Sequence, residues 1–226
     1  MVGNGTGGRR LHDPETVPYH ASRLRAFNPQ QMNNNRAELQ KRKRDLRSEY
    51  RNARGCLGLD EREHASEVIF EQVVHASWFQ RSRFVGCYLS LPDEVDTWRI
   101  FARAWRMKKR IFAPVTRRNR LLEFREVTPE TDLVRDDFGL LMPDAGEVIA
   151  ARKLDLVLTP MVAFDENRQR LGMGGGYYDR TFSFLHMRRQ LLKPKLVGLA
   201  FACQKAAEIP ANPWDIRLYS VITESG

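Results

Sequence analysis

Cysteine is scarce in this chain of 226 residues, and the three that occur, Cys56, Cys87 and Cys203, are widely spaced. An odd set of this kind builds neither a disulfide framework nor a CxxC metal knuckle, so we expect reduced, mostly structural thiols. Long apolar runs are also missing. No stretch approaches the roughly 18 to 20 apolar residues of a membrane-spanning helix, and residues 1–35 lack the apolar centre of a secretory signal. We therefore expect a cytoplasmic protein without a membrane partner.

Histidine is also sparse, and the five histidines do not cluster at metal-ligand spacing. His12 and His20 lie in a polar N-terminal segment, while His64, His75 and His186 fall in predicted helices, where surface positions are commoner than catalytic ones. No serine or cysteine has an evident His and Asp setting, although triads assemble in space rather than in sequence. The sequence thus gives no support to a histidine metal site or to a nucleophile triad.

Positive charge is abundant, since Lys and Arg outnumber Asp and Glu by 37 to 28 and the net charge is +9. More than half of this excess lies in one predicted helix from Arg36 to Arg54, which has eight basic and three acidic residues. Such a balance favours acidic partners. Polyanionic small molecules and nucleic acid both remain open on this observation alone.

Alternating apolar segments predict one layered α/β domain over residues 36–226, preceded by a disordered or flexible tail over residues 1–35. The tail is rich in Gly, Asn and Pro and has almost no apolar periodicity. Continuous apolar runs predict buried parallel strands, and 3.6-residue periodicity predicts the helices between them. Strands are predicted at 84–91, 110–115, 154–164, 195–202 and 219–224, and helices at 36–54, 60–76, 97–108 and 177–191. Residues 121–127 are predicted as a peripheral strand, and 138–147 as a loop.

The segment RLGMGGGYYDR, residues 170–180, places four glycines between a predicted strand and a predicted helix. Glycine lets successive backbone amides converge on an anion, so the loop is suited to nucleotide phosphates. It is not a Walker A loop, because no GK[ST] follows, and Tyr177 stands where a dinucleotide fingerprint has its last glycine. Taken alone, a glycine-rich run is equally consistent with a flexible turn.

The residues around this loop carry a more specific pattern. PMVAFDENRQRLGMGGGYYDR, residues 160–180, resembles the signature of the 5-formyltetrahydrofolate cyclo-ligase family. KRDLR at 43–47, YLSLPDEVDT at 88–97 and the closing WDIRLYSVITE at 214–224 resemble other segments of that family. The resemblance implies a single three-layer α/β/α domain with a mostly parallel central sheet. It also implies an enzyme that converts 5-formyltetrahydrofolate and ATP to 5,10-methenyltetrahydrofolate, ADP and phosphate, with Mg²⁺.

The chemistry of this reaction explains the need for ATP. A formamide oxygen is a poor leaving group, so ring closure by N10 requires that the oxygen first becomes a phosphate ester. The protein then has mainly to position the γ-phosphate against the formyl oxygen and to neutralise charge on the transferring group.

The resemblance assigns the glycine loop to both substrates, with Arg170 and Tyr177 as the catalytic candidates. Lys43 and Arg47, four residues apart on one helix face, are implied as phosphate contacts. The full set expected at ATP is Lys43, Arg47, Arg170, Leu171, Gly172, Met173, Gly174, Gly175, Gly176, Tyr177 and Tyr178. The set expected at the folate is Leu91, Glu94, Asp96, Met173, Gly174, Gly175, Gly176 and Tyr177. For Tyr178, an ordinary core position is an equal alternative.

Four carboxylates complete the expected site. Glu94 and Asp96 follow a strand at the end where open α/β sheets place ligands, and there they are suited to accept N–H groups of the pterin. Asp96 is equally suited to cap the helix that begins at Trp98. Asp179 and Asp215 are implied as Mg²⁺ ligands. Asp179 has the alternatives of pairing with Arg180 or capping a helix, and Asp215 that of starting a turn. The position four residues after Asp215, often acidic in the family, is Tyr219.

Two other functions remain as alternatives. The basic helix permits a nucleic-acid-binding module, but no recognition signature with aromatic and basic residues interleaved accompanies it. An ATP-using ligase or kinase for another acidic metabolite would share the phosphate loop but would leave PDEVDT at 92–97 unexplained. We expect a monomer whose partners are the two small-molecule substrates, without nucleic acid.

Overall fold

Within residues 1–3, 29–136, 139–187 and 193–226, which the structure describes, this computed structural model contains five α-helices and eleven strands. The helices are α1 (Pro29–Gly55), α2 (Leu59–His75), α3 (Ser77–Arg81), α4 (Trp98–Arg106) and α5 (Tyr177–Thr181). The strands are β1 (Phe84–Cys87), β2 (Arg110–Thr116), β3 (Leu122–Glu126), β4 (Leu133–Arg135), β5 (Leu141–Pro143), β6 (Val148–Ile149), β7 (Leu156–Thr159), β8 (Ala163–Phe164), β9 (Arg170–Leu171), β10 (Lys195–Leu199) and β11 (Ser220–Ile222). Short 3-10 helices cover Ala151–Lys153, Ser183–Met187 and Ala202–Gln204.

The central sheet has seven strands in the order β11-β10-β7-β1-β2-β3-β6. The first five pair in parallel, and β3 and β6 add antiparallel strands at one edge. All four residues of β7 are buried, which explains its continuous apolar sequence, because a central parallel strand is covered on both faces. The predicted, mostly parallel α/β sheet is confirmed.

Two apolar cores cover the two faces of this sheet. Val85 and Leu156 point into the core formed with α2, α3 and α4. Phe112 and Val157 belong to the opposite core, together with Phe182, which follows α5. Successive strand residues alternate between the cores as the two-residue period requires. The chain is therefore layered as α/β/α, although the second outer layer is largely irregular.

Proline interrupts one predicted strand. The expected strand at 154–164 ends at Thr159, before Pro160, and resumes as β8, which pairs with β9 in a separate hairpin. Proline has no N–H to donate to a ladder, so Pro160 weakens strand pairing at this point. This break turns the chain out of the sheet and places the hairpin β8–β9 directly before the glycine loop.

The predicted helix at 177–191 is wrong in extent. The α-helix ends at Thr181, and Ser183–Met187 forms a 3-10 turn, whereas residues 188–191 lie outside the described residues. The Phe182 ring is fully buried against the Phe124 ring, with their centroids 6.0 Å apart. The Ser183 hydroxyl donates to the Arg180 carbonyl and closes the turn. Core packing of Phe182 and the local serine bond therefore replace regular helix.

Two other predictions change at their boundaries. The predicted loop at 138–147 contains β5, which pairs with β4, and residues 137–138 lie outside the described part. The helix predicted from Arg36 begins at Pro29, so α1 also includes residues 29–35. Proline is favoured at a first helical position. The expectation for residues 4–28 falls on residues that the structure does not describe. No helix in the described part combines the length and the apolar character needed to span a bilayer.

Truncating a central aromatic of α4 is expected to destabilise this fold strongly. Phe101 is 0% exposed, and its ring contacts those of Trp98 and Trp105 at centroid distances of 5.6 and 6.0 Å. Phe101→Ala should lower the free energy of unfolding by about 3–5 kcal/mol, because it leaves a cavity. Urea unfolding followed by circular dichroism measures this loss. The control is Leu59→Ala at an exposed position, expected within about 0.5 kcal/mol of wild type. Equal losses in both variants would contradict the packing described.

Candidate active site

One face of α1 carries three cations that reach three different loops. Lys43, Arg47 and Arg54 are spaced by four and seven residues, which places them on one side of a helix with 3.6 residues per turn. Lys43 Nζ donates to Asp215 Oδ2 at 2.8 Å, and Arg47 Nε donates to the Gly172 carbonyl at 2.8 Å. Arg54 contacts the loop after β1. α1 thus contacts the glycine loop, the segment that contains Asp215 and the loop after β1.

The glycine loop between β9 and α5 needs glycine for its backbone shape. Gly174 has φ +106° and Gly176 has φ +69°, a region that other L-residues rarely adopt. A Cβ on Gly174 would also lie 3.5 Å from Arg47 Cζ. In the described part of the chain, the backbone N–H groups of residues 172–176 have no protein acceptor. Amides left open beside a guanidinium suit an anion.

Arg170, at the start of this loop, has an unusual environment for a cation. Its side chain is 4% exposed, and Nη2 donates to Asp179 Oδ1 at 2.7 Å. The guanidinium carbon lies 5.0 Å from the centroid of the Tyr178 ring. Nε and Nη1 are buried, and neither has a hydrogen-bond partner among the described residues. Since an unpaired buried donor costs about 1–3 kcal/mol, these atoms indicate a place for an acceptor from a ligand.

The two aspartates expected at magnesium are linked through the backbone. Asp179 Oδ1 also accepts the N–H of Ile216, the residue after Asp215, at 3.2 Å. Asp179 therefore pairs with Arg170, not with Arg180 as the alternative had it. Among the described residues, no group of three or more His, Cys, Asp or Glu is placed to hold a metal. Two carboxylates nevertheless fit Mg²⁺, which completes its shell with waters and phosphate oxygens.

The loop after β1 presents one buried and one partly exposed carboxylate. Glu94 Oε2 accepts the Leu91 N–H at 3.1 Å, and its Oε1 lies 3.4 Å from Arg54 Nη1. Burial raises the pKa of Glu94, whereas the Leu91 N–H and the Arg54 charge oppose that rise. Asp96 Oδ1 accepts the Trp98 N–H at 2.9 Å. Asp96 thus makes the helix-start contact of its alternative interpretation, with its second oxygen left for another donor.

Tyr178 connects the glycine loop to this second loop. Its ring packs against Phe182, with centroids 6.2 Å apart. Burial raises the pKa of the Tyr178 hydroxyl, which lies within electrostatic range of Arg170, Cys87 and Glu94. The core position and the site position are therefore compatible for Tyr178, because its ring packs against Phe182 and also faces Arg170.

The remaining predicted residues differ in exposure. Met173 is 55% exposed at the tip of the loop, Leu91 is half-buried, and Leu171 is buried. The Tyr177 ring folds back over Gly175, where an added Cβ would lie 2.7 Å from it. A cleft too narrow to hold a water molecule adjoins Glu94. A larger groove of about 470 Å³ between α2 and α4 contains none of the predicted residues.

Three residues of this region were missed in the sequence. Arg54 and Asp93 form an ion pair at 2.7 Å, and Tyr88 lines the cleft beside Glu94. The spacing of Arg54 from Lys43 and Arg47 was a usable signal, because all three share a helix face. The only sequence signal for Asp93 was its place beside Glu94. Tyr88 had no signal, since aromatic residues at strand ends are common.

The geometry so far defines an α/β protein with buried cations and open backbone amides near the carboxyl ends of its strands. The profile of the 5-formyltetrahydrofolate cyclo-ligase family matches residues 39–224. A probable 5-formyltetrahydrofolate cyclo-ligase of Caenorhabditis elegans is 32% identical over 190 residues, covering 80% of this chain and 92% of the relative. The Escherichia coli K12 5-formyltetrahydrofolate cyclo-ligase is 39% identical over 146 residues, covering 62% and 78%.

Solved structures agree. The NMR structure of Aquifex aeolicus 5,10-methenyltetrahydrofolate synthetase is similar with a TM-score of 0.70 and 29% identity, covering 81% of this chain and 90% of that one. The chain belongs to the 5-formyltetrahydrofolate cyclo-ligase family and is an enzyme of the ligase class.

Proposed function

We propose that this enzyme uses Mg-ATP to close 5-formyltetrahydrofolate to 5,10-methenyltetrahydrofolate, with release of ADP and phosphate. The observation that carries the proposal is the junction at the glycine loop. There, Arg47 binds the Gly172 carbonyl while Tyr178 brings the same loop within electrostatic range of the buried Glu94. A phosphate site at the loop and a site for a ring with N–H donors at Glu94 would then lie side by side, as transfer between the two substrates requires.

The phosphates of ATP would occupy the open amides of residues 172–176, between Lys43, Arg47 and Arg170. In the structure, Lys43 and Arg170 each pair with a carboxylate. Phosphate oxygens would engage the same cations, and the two unpartnered donors of Arg170 would gain acceptors. These contacts would place positive charge around the transferring group, where negative charge is spread in the transition state.

Magnesium would be held by Asp179 and Asp215, and when bound it would neutralise charge on the phosphate oxygens. In the structure, Oδ1 of Asp179 and Oδ2 of Asp215 are the oxygens that bind Arg170 and Lys43. The chain's own role is to hold both carboxylates at the mouth of the glycine loop. The contact from Asp179 to the Ile216 N–H keeps the two segments together.

The folate would bind against the loop after β1. Glu94 and the second oxygen of Asp96 are acceptors for N–H groups of the pterin, and Leu91 and Tyr177 supply apolar and aromatic surface. The formyl oxygen then attacks the γ-phosphorus of ATP, and ADP leaves. N10 attacks the formyl carbon, loses its proton, and phosphate departs with the former formyl oxygen. Because ligand sites usually measure about 300–1,000 Å³, the cleft beside Glu94 has to enlarge as substrate enters.

Turnover tests the proposal directly. Folded protein with 5-formyltetrahydrofolate, ATP and Mg²⁺ should generate the absorbance of the methenyl product, together with one ADP for each ring closed. Omission of ATP, or chelation of Mg²⁺ with EDTA, should abolish the signal, and added Mg²⁺ should restore it. ADP release with another acidic metabolite but not with this folate would favour the rival ligase or kinase. A salt-sensitive shift of RNA that ATP does not affect would favour nucleic-acid binding. The monomeric state and the cytoplasmic location stay predictions.

A further inference from the structure

Arg54 is a buried cation that the reaction scheme has not used. It is 4% exposed. Nε and Nη2 donate to Asp93 Oδ2 at 3.1 and 2.7 Å. Nη1 lies 3.4 Å from Glu94 Oε1 and 3.5 Å from the Met161 carbonyl oxygen. One guanidinium therefore ties α1 to the loop after β1 and to the segment after β7.

The surroundings of Glu94 show why a cation matters there. The titratable and charged groups that face it are Arg54 from α1, Asp93 from its own loop, Tyr88 from the end of β1 and Tyr178 from α5. Arg54 is the cation of this set. Burial and the second acidic group, Asp93, both disfavour a charged carboxylate and raise the pKa of Glu94. Without Arg54, the carboxylate would take up a proton more readily.

Ionisation decides what Glu94 can do for a ligand. An ionised carboxylate only accepts hydrogen bonds, which matches the amino and ring N–H groups of a pterin, whereas a protonated carboxyl presents a donor at one oxygen. The Leu91 N–H already occupies Oε2. The oxygen that faces Arg54 is thus the one whose charge and direction the guanidinium sets.

We propose that Arg54 is a positioning residue for folate, which orients Glu94 and keeps it ionised so that it accepts N–H groups of the bound pterin. The inference rests on the proposed function. It adds a residue that acts through Glu94 and contacts neither substrate. It also means that α1 serves both substrates, because Lys43 and Arg47 lie on the same helix face.

The test compares Arg54→Gln with wild type in the absorbance assay. KM for 5-formyltetrahydrofolate should rise roughly tenfold to a hundredfold, the effect expected for loss of a hydrogen bond to a charged group, while KM for ATP stays within about twofold. The acidic limb of kcat/KM for folate should move to higher pH. The sign follows because Glu94 must be ionised to bind, and loss of the Arg54 charge raises its pKa. Arg44→Gln, at an exposed position of α1, is the matched control and should leave both values unchanged.

Two further variants separate positioning from a purely structural role. Arg54→Lys keeps the charge but cannot fork between Asp93 and Glu94, so it should raise KM for folate and leave the acidic limb near its wild-type pH. Glu94→Gln should remove that limb, and adding Arg54→Gln to it should raise KM for folate little further. Should Arg54→Gln fail to fold, Arg54→Lys and Glu94→Gln still decide the matter.

The outcomes distinguish the inference from the function on which it rests. An active wild type whose acidic limb does not move in Arg54→Gln, or whose KM values for both substrates change equally, would overturn the role of Arg54 alone. The same holds if the limb moves in Arg54→Lys as far as in Arg54→Gln. A folded wild type without turnover would overturn both the proposed function and this inference.

Discussion

Replacing Arg170 with methionine is expected to lower kcat by roughly a hundredfold to a thousandfold, the usual effect of removing one preorganised donor from charge that develops in a transition state. The guanidinium is buried against Tyr178 with two donors unpaired. Donors already desolvated before the reaction need little reorganisation when phosphate charge redistributes. We therefore expect KM for ATP to change less than kcat. Steady-state kinetics with each substrate varied in turn separates the two effects.

A second arginine of the same hairpin provides the control for this prediction. Arg168 is exposed at the turn between β8 and β9, where its Nη1 donates to the Tyr219 carbonyl at 3.1 Å. Arg168→Met should leave kcat within about twofold, as expected for a surface substitution. Arg170→Lys should recover only part of the rate, because a single ammonium lacks the planar fork of a guanidinium. Unchanged kcat in a folded Arg170→Met protein would remove Arg170 from the phosphate site.

Loss of the cation at Lys43 should reduce both stability and ATP binding. Lys43 is buried, and its Nζ lies 2.8 Å from Asp215 Oδ2. Lys43→Met leaves Asp215 as a poorly compensated charge, so the free energy of unfolding should fall by about 3–5 kcal/mol. KM for ATP should rise by roughly tenfold or more as a charge-assisted contact to phosphate is lost. Urea unfolding and steady-state kinetics measure the two quantities.

The double variant Lys43→Met/Asp215→Asn separates these two effects. It removes the orphaned charge, so part of the lost stability should return. It supplies no cation for phosphate and also removes a carboxylate proposed for Mg²⁺, so KM for ATP should stay high. Arg42→Met is the matched control, because the pair of Arg42 with Glu208 is exposed on both sides and should contribute less than about 1 kcal/mol. Recovery of ATP binding in the double variant would contradict a phosphate contact at Lys43.

The sheet was predictable because its strands are short apolar runs with polar boundaries. β7 is buried on both faces and reads as such in the sequence. The failures have local causes. Pro160 ends a run that hydropathy alone continues, and the predicted helix after Tyr177 stops because the Phe182 ring enters the core against Phe124. The apolar periodicity of a sequence indicates which residues face a core, but it does not indicate against which side chain a particular ring packs.

The candidate site was predictable where its residues are adjacent in the sequence. The glycine loop and PDEVDT are continuous motifs, and α1 contacts both, through Arg47 to Gly172 and through Arg54 to Glu94. Pairings between distant residues were not predictable, because the sequence holds no distances. It gave Asp179 a choice of partners, and tertiary contacts select Arg170. Arg54 was hidden among the charges of a basic helix, and only burial separates it from the solvated arginines nearby.

The number of residues between Lys43 and Arg54 in α1 fixes the distance between these two side chains and the directions in which they point. Arg54 lies eleven positions after Lys43, which at a rise of 1.5 Å per residue separates them by about 16 Å. One inserted or deleted residue between them would rotate Arg54 by about 100° about the axis relative to Lys43 and carry it away from Asp93. The number of residues in this stretch is therefore as tightly constrained as their identity. A length change there would leave every named side chain in the sequence, but it would separate the phosphate contact at Lys43 from the contact of Arg54 with the folate loop.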